Sequence, residues 1–165
     1  MERFIRPSLF LGAIAGLASG VLLLIPFVAP FVFFLLFILP GIVVIIFMKK
    51  SNTIGIISSQ DGAFIGALAG FSSLIASSVI YIPGVFIIEQ ISGLRSNSFT
   101  VSHSFSLIGY NILAISMLVF FTAGLSALIN AFSGLVTAYI YERIDKKTLN
   151  FEDQLDLEKV DQIIE

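Results

Sequence analysis

From Pro7 to Met48, and again from Gly62 to Ile88, the sequence carries no charged side chain. The hydrocarbon core of a bilayer is about 30 Å thick and a helix rises about 1.5 Å per residue, so roughly 20 apolar residues cross it. Uncharged runs of this length leave few ways to fold. In water they would need a core larger than a chain of 165 residues can build, because 57% of its residues are hydrophobic and only 12% are charged. Lipid takes the place of that core. The backbone must then satisfy its own hydrogen bonds, and a chain of this pattern does so with helices.

Four spans are expected, at about 8–28, 31–48, 62–82 and 107–141. Pro26 and Pro30 bracket a turn after the first, since proline ends or bends a helix. The second is rich in Phe and closes on Lys49 and Lys50, and Ser51 to Gln60 reads as a polar loop. Asp61 is placed to cap the third helix through its carboxylate, and Pro83-Gly84 to interrupt that helix. Glu89 to Ser106, Ser-rich with Arg95 and His103, reads as an exposed loop. The run 107–141 contains no proline and is read as one long, tilted or projecting helix; the alternative is a break near Thr122-Ala123-Gly124. The expected fold is all-α: a four-helix transmembrane bundle of two parallel-repeat helix hairpins with a long fourth helix.

Charge placement orients these spans. Arg3, Arg6, Lys49, Lys50, Arg143, Lys146 and Lys147 fall on one side of a four-span chain, and only Arg95 among the loop cations falls on the other. This is the positive-inside pattern, with both termini cytoplasmic and the chain multi-pass in a cell inner (plasma) membrane. A five-span reading would split the basic groups. A signal-peptide reading of the first run, with Arg3 and Arg6 as its basic region, fits less well, because the apolar stretch is too long and is filled with Gly and Ala.

A near-repeat runs through the two halves. Gly12-Ala13-x-x-Gly16-x-x-x-Gly20 recurs as Gly62-Ala63-x-x-Gly66-x-x-x-Gly70. Glycine at every fourth position makes a smooth face along which helix backbones approach closely. With four spans the first and third helices start on the same side, so the halves are parallel repeats. The last span has small-residue lines of its own, including Ala127 and Gly134. These glycines and alanine are assigned to helix packing, within one chain or between copies. Pro40 and Gly41, inside the second span, mark a kink, or alternatively a hinge of the kind that lines transporter sites.

Little in the sequence carries chemistry. Ionisable residues inside a membrane are the usual functional pointers, and here Asp61 and Glu89 lie only at predicted interfaces. His103 is the sole histidine and there is no cysteine, so no metal-ligand spacing or thiol nucleophile arises. Asn111 and Asn130 are about 28 Å apart along a helix and are read as bonding separately to neighbouring helices. Ser72, Ser73, Ser77 and Ser78 are expected to return their hydroxyls to carbonyls of their own helix. No enzyme, no cofactor, no metal and no nucleic-acid partner is expected.

Eight of the eleven acidic residues lie from Glu142 onward. The chain therefore divides into a membrane body, 1–148, and an acidic amphipathic cytoplasmic tail, 149–165. Phe151, Leu155 and Ile163 fall near helical spacing among the acids and are assigned to partner docking. The tail's charge would be repelled by anionic lipid.

The Gly-Ala-x-x-Gly motif followed by Ile25-Pro26-Phe27, a Pro-Gly pair in the second span, basic residues, and the Asp61 to Gly70 motif resembles small four-span prokaryotic integral membrane proteins of unknown function. The resemblance covers roughly residues 8 to 82 and implies fold and location only. The expected function is a non-enzymatic accessory subunit or self-associating scaffold of a membrane complex, whose partners are the lipid bilayer and other subunits or copies of itself. The alternative is a small oligomeric channel or transporter.

Overall fold

A computed structural model describes the backbone of residues 2–51, 55, 57–92 and 108–164, and the side-chain surroundings of 4–51, 55, 57–88, 112–145 and 147. Among these residues the chain is all-helical: α1 (Glu2–Leu22), α2 (Ala29–Leu36), α3 (Leu39–Lys50), α4 (Ser59–Ser92) and α5 (Ile108–Ile164). Three stretches, Phe4–Leu22, Ser59–Ile88 and Ile112–Asp145, are long and apolar enough to cross a membrane; the bent pair α2–α3 makes a fourth if it is one span. The large side chains left outside are those of a membrane protein, with Phe10, Phe31, Phe34, Leu118 and Phe132 all exposed.

Several boundaries differ from the sequence expectation. α1 ends earlier than residue 28. Its last turn tightens, with Leu24 and Ile25 amides donating to Val21 and Leu22 carbonyls, before Pro26, which has no amide to donate. Pro30 is not part of the turn but sits in the first turn of α2, where a missing N–H costs nothing. Pro83-Gly84 does not interrupt the third span: α4 runs through it to Ser92. The cap of α4 is Ser58, not Asp61. Ser58 Oγ accepts from the Asp61 amide at 3.2 Å and donates to the Asp61 carboxylate at 2.9 Å, a variant of the capping box. Of the loop expected at Glu89 to Ser106, the first four residues belong to α4, and 93–106, with Arg95 and His103, lie outside the described residues.

From 108 to 141 the run contains no break. α5 is one helix of 57 residues, about 86 Å long at 1.5 Å per residue. It passes without interruption through the expected boundary at 148/149, so the tail continues the last span as helix for about 28 Å beyond Asp145.

Contacts fix the directions. Gly12, Gly16 and Gly20 face Ala69, Ser73 and Ser77 in turn, so α1 and α4 run parallel. Gly62, Gly66 and Gly70 face Ala138, Gly134 and Asn130, so α4 and α5 run antiparallel. Ser8 on α1 donates to the Met48 sulfur near the end of α3, at 3.8 Å, so those helices also oppose each other. α4 is the central helix, packed chiefly on α5 and α1. One apolar cluster (Val44, Ile45, Met48, Ile57, Ile65, Ala69, Ala138) lies toward the basic end. A second (Leu23, Val32, Leu36, Leu74, Ala123) lies toward the other end.

The glycine stripes set these distances. A Cβ at Gly16 would collide with the Ser73 carbonyl, and one at Gly66 with the Asn130 carbonyl. Backbone cannot move aside as a side chain can, so both helix pairs are held at a separation only glycine allows. The two stripes are used differently: the first packs on the serine face of α4, the second on α5. The repeat in sequence is therefore not repeated in the choice of partner.

Candidate functional site

Between the two apolar clusters lies a polar layer built around Asn130, whose relative exposure is 0%. Its cause is Pro40. A proline has no N–H to give the carbonyl four residues back, and its ring crowds that carbonyl. Here that carbonyl is Leu36. The helix stops with two tight bonds, Phe37 amide to Phe34 carbonyl at 3.1 Å and Ile38 amide to Leu35 carbonyl at 3.0 Å. It restarts at Leu39 after a bend of 60°. The break thus falls at Phe37-Ile38, upstream of the Pro40-Gly41 pair singled out in the sequence, and Pro40 occupies the first turn of α3.

In an apolar surrounding, a break between two helices leaves backbone groups that no water can satisfy. α5 supplies the partners. Asn130 Nδ2 donates to the Leu36 carbonyl at 3.3 Å. Asn130 Oδ1 accepts from the Gly41 amide at 2.8 Å. Ser133 Oγ donates to the Ile38 carbonyl at 3.1 Å. One side-chain amide therefore closes both sides of the break, donating to the end of α2 and accepting from the start of α3. Nδ2 also meets the Ser126 carbonyl at 3.0 Å and Ser126 Oγ at 3.2 Å, and Ser126 Oγ reaches the Gly70 carbonyl at 3.2 Å. Asn130 is thereby bonded to α2 and α3 and, through Ser126, linked to α4.

Gly41 and Gly70 make room for this layer. A Cβ at Gly41 would lie 2.6 Å from the Asn130 carbonyl and 2.8 Å from Ser133 Oγ; one at Gly70 would lie 2.6 Å from Asn130 Nδ2. Gly41 therefore serves close approach, while the bend itself lies upstream. Among the described residues no buried side-chain nitrogen or oxygen lacks a partner. Ser72, Ser73, Ser77 and Ser78 return their hydroxyls to Ala69, Gly70, Leu74 and Leu74 carbonyls.

Gly12, Gly16 and Gly20 lie at the α1–α4 contact; Gly62, Gly66, Gly70 and Gly134 lie at the α4–α5 contact. Ala127 is half-buried on α5 beside that contact. Phe151, Leu155 and Ile163 lie on the helical backbone of α5, their side chains outside the described residues. Asn111 likewise has a described backbone only. Among the described residues there is no group of three or more potential metal ligands. Open apolar clefts mark the outer surface, including one of about 430 Å³ between α4 and α5 lined by Ile75, Ser78, Pro83, Ser116 and Phe120.

Sequence reading left the joint itself unassembled. The signal was there: Pro40 removes the donor for the Leu36 carbonyl, so an uncharged span must find a replacement elsewhere, and Asn130 is the longest polar side chain in the apolar part of α5 that the structure buries.

No family model, curated protein or solved structure matches the chain.

Proposed function

We propose that the chain is a non-enzymatic membrane scaffold, an accessory or self-associating subunit that anchors a long helical arm. The observation that carries this reading is the continuity of α5. It is clamped against α4 inside the apolar body and then continues as helix to Ile164. A helix that leaves a fixed body unbroken presents its far end at a set direction and distance, about 28 Å from Asp145. Phe151, Leu155 and Ile163 would then be docking residues for a second subunit or copy. In this reading the body is a four-helix transmembrane bundle of two parallel hairpins, α1 with α2–α3 and α4 with α5, like the small four-span prokaryotic proteins that the sequence resembles. It sits in the inner membrane with both termini cytoplasmic, supported by the clustering of Arg6, Lys49, Lys50, Arg143 and Lys147 at one end.

A channel or transporter reading would use the broken second span. Its freed backbone groups are engaged by Asn130 and Ser133, which supports a fixed joint over a substrate site. The test is a photo-crosslinking amino acid at Leu155 in native membranes. A discrete crosslinked species, to a second copy or to one other subunit, is expected. Absence of any discrete adduct at Phe151, Leu155 and Ile163 alike would contradict the proposal.

A further inference from the structure

The basic end of the protein is not electrically balanced by its own carboxylates. Each described carboxylate there is engaged by another side chain: Asp61 by Ser58 at 2.9 Å, Glu142 by Ser59 at 3.0 Å, and Asp145 by Lys49. Lys49 also donates to the Gly55 carbonyl at 3.0 Å, so this cation is used up in tying α3, the following loop and α5 together. Arg6, Lys50 and Lys147 are exposed and have no hydrogen-bond or ion-pair partner among the described residues. Arg143 lies over the Tyr139 ring, 5.9 Å from its centre, and is otherwise exposed. The opposite end of the described helices carries a single charged residue, Glu89 near the end of α4. Five described cations (Arg6, Lys49, Lys50, Arg143, Lys147) against three described carboxylates (Asp61, Glu142, Asp145) make a net-positive collar at the depth where the apolar helices leave the bilayer.

We propose that this collar binds anionic phospholipid in the leaflet that it faces, with Arg6 as its best-defined seat. Arg6 borders an open apolar cleft shared with Pro7, Leu9 and Phe10, so a guanidinium stands next to surface fit for an acyl chain. A guanidinium can hold two phosphate oxygens at once, which an ammonium does not. Lys50, Arg143 and Lys147 add attraction at the same level. The acidic tail has the opposite preference and is repelled by the leaflet that attracts the collar. The inference depends on the helices spanning a bilayer and is independent of what α5 docks to.

The test is a native mass-spectrometric titration of the full-length protein in neutral detergent with phosphatidylglycerol or phosphatidylcholine. Wild type should prefer phosphatidylglycerol by at least tenfold at low salt, the preference shrinking as salt is raised. Each charge removed should weaken phosphatidylglycerol binding by about fivefold, so Arg6→Gln/Lys50→Gln should lose most of the preference while binding phosphatidylcholine as wild type does. Arg6→Lys should recover only part of it. Equal binding of the two lipids by wild type, a preference insensitive to salt, or a preference unmoved in the double variant would overturn the proposal. So would full competition by inorganic phosphate at equal concentration, which would assign the site to a soluble anion.

Discussion

Replacing Asn130 by alanine isolates the joint in the second span. The substitution removes two bonds between helices, to the Leu36 carbonyl and from the Gly41 amide. Such bonds in membrane proteins average about 0.6 kcal/mol and reach about 1.7 kcal/mol, so the pair is worth about 1–3 kcal/mol. The upper part of that range is expected, because both backbone partners would be stranded in a site at 0% exposure. A loss of about 2 kcal/mol shifts the unfolding equilibrium roughly thirtyfold. Reversible unfolding in mixed detergent, followed by helical circular dichroism, reads this directly. Thr122→Val is the matched control: its hydroxyl bonds only to the Leu118 carbonyl of its own helix, and less than about 0.5 kcal/mol should be lost. Pro40→Ala supplies the missing test of cause. It restores an amide that can serve the Leu36 carbonyl, so Asn130→Ala should cost less in that background, with a coupling of about 0.5–1.5 kcal/mol. If Asn130→Ala is as mild as Thr122→Val and the two substitutions add, Asn130 does not close the break and the reasoning fails.

Two further expectations concern packing and the arm. Gly16→Ala and Gly66→Ala should each lose about 1–3 kcal/mol, since the new methyl group meets backbone; Gly124→Ala, with nothing within 4 Å, should gain about 0.5–1 kcal/mol from helix propensity. Equal effects at all three positions would show that the stripes are not close contacts. Deleting Asn150 to Glu165 should leave membrane insertion and the melting of the helical body unchanged, because neither apolar spans nor the basic collar is removed; a body that no longer inserts would refute this.

The spans were legible in the sequence because their signal is local: charge-free runs of membrane length, and glycine every fourth residue. Which face each stripe meets was not legible. Gly12 to Gly20 and Gly62 to Gly70 look alike as sequence, yet one meets serines of α4 and the other meets Asn130 and Gly134. Helix ends were read less well than helices. Pro83 suggested a stop, but proline within a long apolar helix is tolerated where neighbours or local adjustment re-satisfy the freed group. Pro40 suggested a bend at itself, whereas the steric effect of a proline acts on the turn before it, at Phe37-Ile38. The Asn130 joint pairs residues about ninety positions apart, and no local pattern specifies that pairing. It follows only from asking where the Leu36 carbonyl and the Gly41 amide find partners.

The central claim is that the chain crosses the membrane four times, the broken α2–α3 pair counting as one crossing, with the basic ends of the helices gathered on the cytoplasmic side. Because the chain has no cysteine, single cysteines can report this without background. Ser98→Cys should react with an impermeant thiol reagent in intact cells, while Ser51→Cys and Gln154→Cys should react only after the membrane is permeabilised. Labelling of Ser51→Cys from outside would make the broken pair a re-entrant loop or reverse the chain, labelling that places Ser51 and Gln154 on opposite sides would mean that α4 or α5 does not cross, and either result would contradict the account.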